Sequence, residues 1–414
     1  MNTRAGILLI VLMIIAACTG RESGNNAKQK SDAMATNFTN RYGNDRDFLK
    51  KFVNIIELKK GESALILVPD WQGRVMTSTA EGDNGFSFGW INHDLVTSRK
   101  IRPHINAFGG EERVWLGPEG GQFSIFFRKG SKFIYDDWQT PAFLDTTPYE
   151  VISKCDTSVL FACDAEATNY SGTHLKFRIE REVRILSADE IAGQLGIDVK
   201  RLKFVGYSSS DKLINKGKKA WIKETGLLSV WMLGMFTPSP SVVIVVPFNP
   251  GDVKLLGPPV NDNYFGRISA DRLKVKGDNI YFRADGKKRG KIGLPPLRSK
   301  GIMVSYDSAN NILTLLICKM PSNKAEYVNS AWQLQENPFS GDAMNSYNDG
   351  PLEDGSQMGP FYELETSSPA AALKPGESLT HEQYTLHITG DPDLLGRIAA
   401  DLLGVTLDEI KSAF

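Results

Sequence analysis

The run LKFRIEREVRIL, residues 175–186, decides the fold class. Leu175, Phe177, Ile179, Val183 and Ile185 alternate with charged residues. Successive side chains of a strand point to opposite faces, so this period of two describes a long strand with one face buried and one wet. A helix would bring residues three and four apart together and would mix these two sets. Similar short β-branched or aromatic runs recur outward in both directions: ALILVPD (64–70), QFSIFFRK (122–129), SVLFACDAEA (158–167), SVVIVVPF (241–248), IMVSYD (302–307) and ILTLLICKM (312–320). Gly, Pro, Asn and Asp bound them, and no regular helices stand between. The pattern predicts an all-β chain, a large antiparallel β-sandwich with a few short peripheral helices. No blade-length repeat points to a propeller.

Helical signals are few. Asp45 to Ile56 has helical apolar spacing, and Ser187 with Glu190 forms a capping box that opens a short helix to Leu195. Asp391-Pro392 sets a cap and an N1 proline for a helix to Leu403, and Thr406 with Glu409 opens another. Residues 45–390 are thus expected to form the sandwich and 391–414 a helical tail packed on it.

The N-terminus is of another kind. Arg4 precedes an apolar run from Ile7 to Ala17 that is too short for a transmembrane helix. Ile15-Ala16-Ala17-Cys18 resembles the bacterial lipobox, which implies a signal peptide over 1–17 and a lipid-modified Cys18. Acyl chains on Cys18 would make the lipid bilayer a partner, since each buried methylene contributes ~0.8 kcal/mol. Residues 18–44, rich in Ser, Asn, Thr, Lys and Gly, read as a flexible tether. Thr19 is not the aspartate that retains some lipoproteins at the inner membrane. The expected location is the envelope of a Gram-negative bacterium, at the outer membrane.

Lys+Arg and Asp+Glu are equal at 48 each, and this balance offers no nucleic-acid footprint. No G-x-S-x-G, Walker or dinucleotide fingerprint occurs, and no cofactor is expected. Cys155, Cys163 and Cys318 lie in an exported setting that permits disulfides; either Cys155 pairs with Cys163 or the three are buried thiols. Without a C-x-x-C motif or a nearby histidine, no metal site is expected.

Two segments concentrate polar and aromatic residues. The first, HINAFGGEERVWLGPEGGQFSIFF (104–127), holds His104, Glu111, Glu112, Trp115 and Glu119 between glycine pairs. An indole face packs on the C–H face of a sugar while carboxylates take its hydroxyls; the alternative is a hairpin with Trp115 in the core and solvated glutamates. The second is MGPFYELETSSPAAALKPGESLTHEQYTLHI (358–388). Elsewhere, the Met and Trp stripe of LLSVWMLGMF (227–236) reads as core, and YDDWQTP (135–141) as a solvated turn. Arg267 beside Tyr264 in DNYFGR is either a surface pair or a binder of an acidic sugar.

Leu364-Glu365-Thr366, followed by Leu373-Lys374-Pro375-Gly376-Glu377, resembles the last strands of the galactose-mutarotase-like (aldose 1-epimerase-like) superfamily. FGGEERVWLGPEGG, Ile214-Asn215-Lys216-Gly217 and YNDGP (347–351) resemble segments of uncharacterised members, in the same chain order. The resemblance spans about residues 50–390 and implies that sandwich fold, a sugar or glycan ligand, and Glu365 as general base on an anomeric hydroxyl, with Glu363 on the same face. Mutarotation also needs an acid at the ring oxygen. The histidine run that supplies it in active mutarotases is absent among His93, His104, His174, His381 and His387. That leaves His104, His174, Lys223, or a carboxyl of raised pKa such as Glu112 or Glu119. Three functions follow: a carbohydrate-binding or carbohydrate-modifying lipoprotein, epimerase-like; a non-catalytic glycan binder on the same fold; or a structural envelope lipoprotein.

Overall fold

The structure is a computed structural model and describes residues 40–321 and 325–414. The expected signal peptide, Cys18 and nearly all of the tether lie outside the described residues. In chain order the first strands are β1 (Ile56–Lys60), β2 (Ser63–Val68), β3 (Arg74–Thr79), β4 (Arg113–Gly117), β5 (Glu150–Lys154), β6 (Ser158–Thr168), β7 (His174–Ile185), β8 (Lys203–Asn215) and β9 (Ser229–Phe236). Then come β10 (Val242–Pro247), β11 (Leu273–Lys276), β12 (Asn279–Arg283), β13 (Gly290–Leu294), β14 (Ile302–Asp307), β15 (Ile312–Cys318), β16 (Met344–Asn348), β17 (Tyr362–Ser367) and β18 (Ser378–Thr389). They form a small sheet β1-β2-β3, a ten-stranded sheet β11-β12-β10-β14-β15-β18-β8-β7-β6-β5 and a five-stranded sheet β13-β16-β17-β9-β4. Neighbouring named strands pair antiparallel throughout. The all-β sandwich expected from the alternating runs is the observed fold.

The ten-stranded sheet is covered on both faces. Ile244, Met303 and Leu316 on one face pack with Met344, Tyr362 and Leu364 of the five-stranded sheet. On the other face, Val245, Val304, Leu315 and Leu386 pack with Ile191, Leu395, Ile398, Leu403 and Ile410. These apolar stripes come from the helices Ala188–Leu195, Pro392–Leu403 and Leu407–Lys411. Both capping boxes form as read, and Asp391 caps its helix with Pro392 in the first turn. The N-terminal helix differs from its expected span: it runs Tyr42–Leu49, and Ile56 already begins β1. Pairing of Ile56–Lys60 with Ser63–Leu67 takes this segment into the small sheet, where Leu58 is buried.

Two further expectations are corrected. QFSIFFRK contributes no strand, because Phe126 and Phe127 fill an aromatic cluster with Trp115, Trp138 and Trp332. Their backbone makes a single bridge, Phe127 to Trp138, with no ladder beside it. Cys155 and Cys163 are free thiols; Cys155 is exposed, Cys163 partly buried, and Cys318 alone of the three is buried. Lys154 opposes Val159 in the β5–β6 pair, which sets Cys163 four residues further along β6. At ~3.3 Å per residue that offset exceeds the reach of a disulfide.

The sandwich interior carries a polar layer. His381 Nε2 meets Thr366 Oγ1 at 2.7 Å, Thr366 donates to Gln383 Oε1, and Gln383 Nε2 donates to Glu112. Burial pulls the His381 imidazole down to about 4, so it stays neutral at neutral pH. The unfolded chain takes up its proton near 6.5, so this contribution to stability is complete above that pH and is lost as pH falls toward 4. Urea titrations between pH 7.5 and 4.5 should therefore show wild type losing about 3 kcal/mol more than His381→Gln over the window. Parallel pH curves for the two proteins would refute the assignment.

Candidate active site

Along β17, Tyr362 and Leu364 turn into the sandwich, where the Tyr362 hydroxyl meets Ser305 Oγ at 2.8 Å. Alternation then turns Glu363 and Glu365 to the outer face of the five-stranded sheet. In register beside them stand Asn345 and Tyr347 of β16, Leu233 and Met235 of β9, and Lys291 of β13 opposite Tyr347. Trp231 opposes both Ser367 and Trp115. The sheet thus lays acids, bases and aromatics on one surface.

Glu365 accepts from Lys291 Nζ at 3.0 and 2.9 Å and from Trp231 Nε1 at 3.0 Å. It is fully buried, and the Lys291 ammonium also sits 4.8 Å from the Trp231 ring and 5.6 Å from that of Tyr264. Glu363 accepts from Arg113 Nη2 at 2.9 Å, and the Arg113 guanidinium lies over Trp115 at 4.9 Å. Glu119, held at its backbone N–H by Ser330 and at its side chain by Trp332, completes the cluster. Burial, with Glu365 adding repulsion against the pull of Lys291, pushes Glu119 up to about 7. Burial and Glu365 likewise push Glu363 up to about 7 against the opposing pull of Arg113. Three carboxyls therefore share two cations, and two of them are poised to hold a proton near neutrality. Tyr264 donates to Asp342 at 2.6 Å and accepts from Asn345 at 3.1 Å, which fixes its ring beside Lys291.

Of the residues singled out in the sequence, Glu365, Glu363, Glu119 and Trp115 meet here. Trp115 does so as a buried wall, edge-on to Trp231 at 5.8 Å. Tyr264 stands beside Lys291, Glu111 is buried against His387, and five others lie elsewhere. His104 Nδ1 contacts the Trp138 carbonyl at 2.6 Å and its ring lies against Tyr135. His174, at the far end of the β6–β7 hairpin, is exposed beside Glu166 and Thr168. Glu112 turns inward, opposite to Arg113, and binds Arg181 at 2.6 Å within the sandwich. Lys223 pairs with Glu326 at the surface, and Arg267 pairs with Asp262 at 2.8 Å. Neither histidine is thus among the contacts of the Glu119, Glu363 and Glu365 carboxyls.

Sequence reading missed Arg113, Lys291, Asn345 and Trp332 and assigned Trp231 to the core. For Lys291 the signal was present: in GKIGL it stands out of phase with Ile292 and Leu294, whereas Arg113 in RVWLG is in phase with Trp115 and out of phase only with Val114 and Leu116. Among the described residues no His, Cys, Asp and Glu group is arranged to hold a metal, and no helix is long and apolar enough to cross a membrane.

Solved structures similar to this chain include a galactose mutarotase related enzyme from Lactobacillus acidophilus, 9% identical, with 81% of this chain and 98% of that one aligned at a TM-score of 0.46. A galactose mutarotase-like protein from Lactobacillus casei aligns at 10% identity, 81% and 100% coverage and a TM-score of 0.45. A protein from Synechocystis sp. aligns at 11% identity, 82% and 96% coverage and a TM-score of 0.49. At these values the likeness concerns the fold alone and transfers no activity. No curated protein matches the sequence. Residues 40–414, the whole of the sandwich with its C-terminal helices, match one family throughout, and the chain belongs to the family of unknown function DUF6786.

Proposed function

We propose that the chain is a lipid-anchored protein that binds a carbohydrate on the outer face of the five-stranded sheet and acts on it by acid–base chemistry. The observation behind this reading is the grouping of Glu119, Glu363 and Glu365 with Lys291 and Arg113 between the rings of Trp115, Trp231 and Tyr264. Indole faces suit sugar C–H surfaces, and paired carboxyls of unlike protonation suit proton exchange at an anomeric centre. In the epimerase-like step the Glu365 carboxylate takes the anomeric O–H proton as the bond from C1 to the ring oxygen breaks. Glu119 gives its proton to that ring oxygen, and the open-chain carbonyl recloses with the roles reversed. Lys291 stands where it can hold an oxygen that Glu365 releases. Exchange spectroscopy by NMR on a panel of aldoses, with tryptophan fluorescence as the binding readout, tests this. Neither exchange nor binding at millimolar sugar would end the carbohydrate reading.

One observation favours a second reading, a non-catalytic glycan binder. Both oxygens of Glu365 are already engaged and the group is fully buried, so a substrate hydroxyl has to displace Lys291 or Trp231. Robust exchange that depends on Glu365 would remove it. The anchor rests on the lipobox-like Ile15-Ala16-Ala17-Cys18 and sets the proposed location at the outer membrane. Metabolic labelling with palmitate should mark wild type and lose the signal in Cys18→Ser; equal labelling of both would refute the anchor.

A further inference from the structure

The cations around the site differ in one respect. Arg113 is paired with Glu363, Lys291 with Glu365, and Arg267 with Asp262. Arg289 is exposed and has no carboxylate partner among the described residues. It stands two residues before Lys291, immediately ahead of β13, about 6–7 Å along the chain. Its guanidinium lies 3.8 Å over the ring of Phe265, which is 48% exposed. Phe265 in turn meets Tyr347 edge-on at 5.8 Å, and Tyr347 is the register partner of Lys291. Asp349, two residues beyond Tyr347, already accepts from the Tyr347 hydroxyl and the Gly359 N–H.

We infer that the site selects a carbohydrate bearing an anionic substituent, and that Arg289, stacked on Phe265, reads that charge. This rests on the carbohydrate reading above and deepens it. A guanidinium lying flat on an aromatic ring keeps its edge N–H groups free, and the stack limits its rotation, so a planar carboxylate is met bidentately at reduced entropic cost. Lys287 and Lys288, both exposed, add positive charge at this edge, where Asp271 feels the charge of Lys288 and Asp285 is held by Arg272. A neutral sugar would leave these donors to water alone.

The test compares galactose, galacturonate and galactose 6-sulfate by fluorescence titration at low and at 0.3 M salt, on the full protein and on Arg289→Gln. Wild type is expected to prefer an anionic sugar over galactose by about 10- to 100-fold, with the preference shrinking in high salt. In Arg289→Gln that ratio should fall to about one, while thermal unfolding, governed by residues away from this exposed side chain, stays in place. Preference for galacturonate over the sulfate identifies a carboxylate ligand, and the reverse a sulfate or phosphate ester. Equal affinity for galactose and both anionic sugars, or a preference that survives Arg289→Gln, overturns the inference and leaves the carbohydrate reading intact. Binding of none of the three overturns both.

Discussion

Replacing Arg181 by methionine is expected to cost about 3–5 kcal/mol, a large part of the ~5–15 kcal/mol that holds a domain folded. Arg181 has no exposed surface, and its Nη1 donates to Asp211 at 3.0 and 2.9 Å, its Nη2 to Glu112 at 2.6 Å, and its Nε to the Gly73 carbonyl at 3.2 Å. Asp211 and Glu112 are equally buried. Without the guanidinium two carboxylates lie in a medium that solvates neither. Burial already pushes Asp211 up to about 6 with Arg181 beside it. In the variant, protonation relieves part of the penalty, and a carboxyl raised in the fold loses stability as pH climbs from its unfolded value through its folded one. The deficit of Arg181→Met should thus be larger at pH 8 than at pH 5. Urea midpoints at the two pH values measure it, and adding Glu112→Gln with Asp211→Asn should restore more than half. A loss under about 1 kcal/mol at pH 8 would show that water reaches the cluster.

This residue also shows what the sequence offered and what it concealed. The alternation in 175–186 correctly made β7 a half-buried strand, yet position 181 is in phase with Phe177, Ile179 and Val183. An arginine at a core position of a strict period-two pattern is the mark of a buried ion cluster, but its partners come from β8 and from the residue before β4. No local pattern names them. The carboxyls behaved alike: the Leu-Glu-Thr motif pointed to Glu365 because strand phase and order along the chain are local. Lys291, which decides its charge environment, lies 74 residues away and joins only through the β13-β16-β17 order of the sheet. His104, His174 and Lys223 were attractive by residue type alone, and type says nothing about which end of which strand a side chain occupies. Helix starts marked by a capping box were read well, since the box closes within four residues and needs no tertiary partner, whereas the uncapped N-terminal helix was misplaced at both ends.

Glu365→Gln is expected to lower the rate of anomer exchange by about 10²–10⁴-fold, the range that removal of a positioned general base produces. The amide is nearly isosteric and keeps an oxygen to accept from Lys291 or Trp231, so affinity for the sugar should change far less than turnover. Folding is the competing explanation, because the substitution also removes the negative partner of an ammonium that is only 12% exposed. The two effects separate by measurement. If Glu365 is the base, kcat falls with the sugar dissociation constant nearly unchanged, and a thermal shift of a few degrees does not track the loss. Lys291→Met supplies the complementary case: it strands a fully buried Glu365, so its stability loss should exceed that of Glu365→Gln. If exchange survives Glu365→Gln while both variants are destabilised, the Lys291–Glu365 pair is a structural clamp of the sheet. The proton chemistry would then have to run on Glu119 and Glu363, the two carboxyls that burial holds near neutrality.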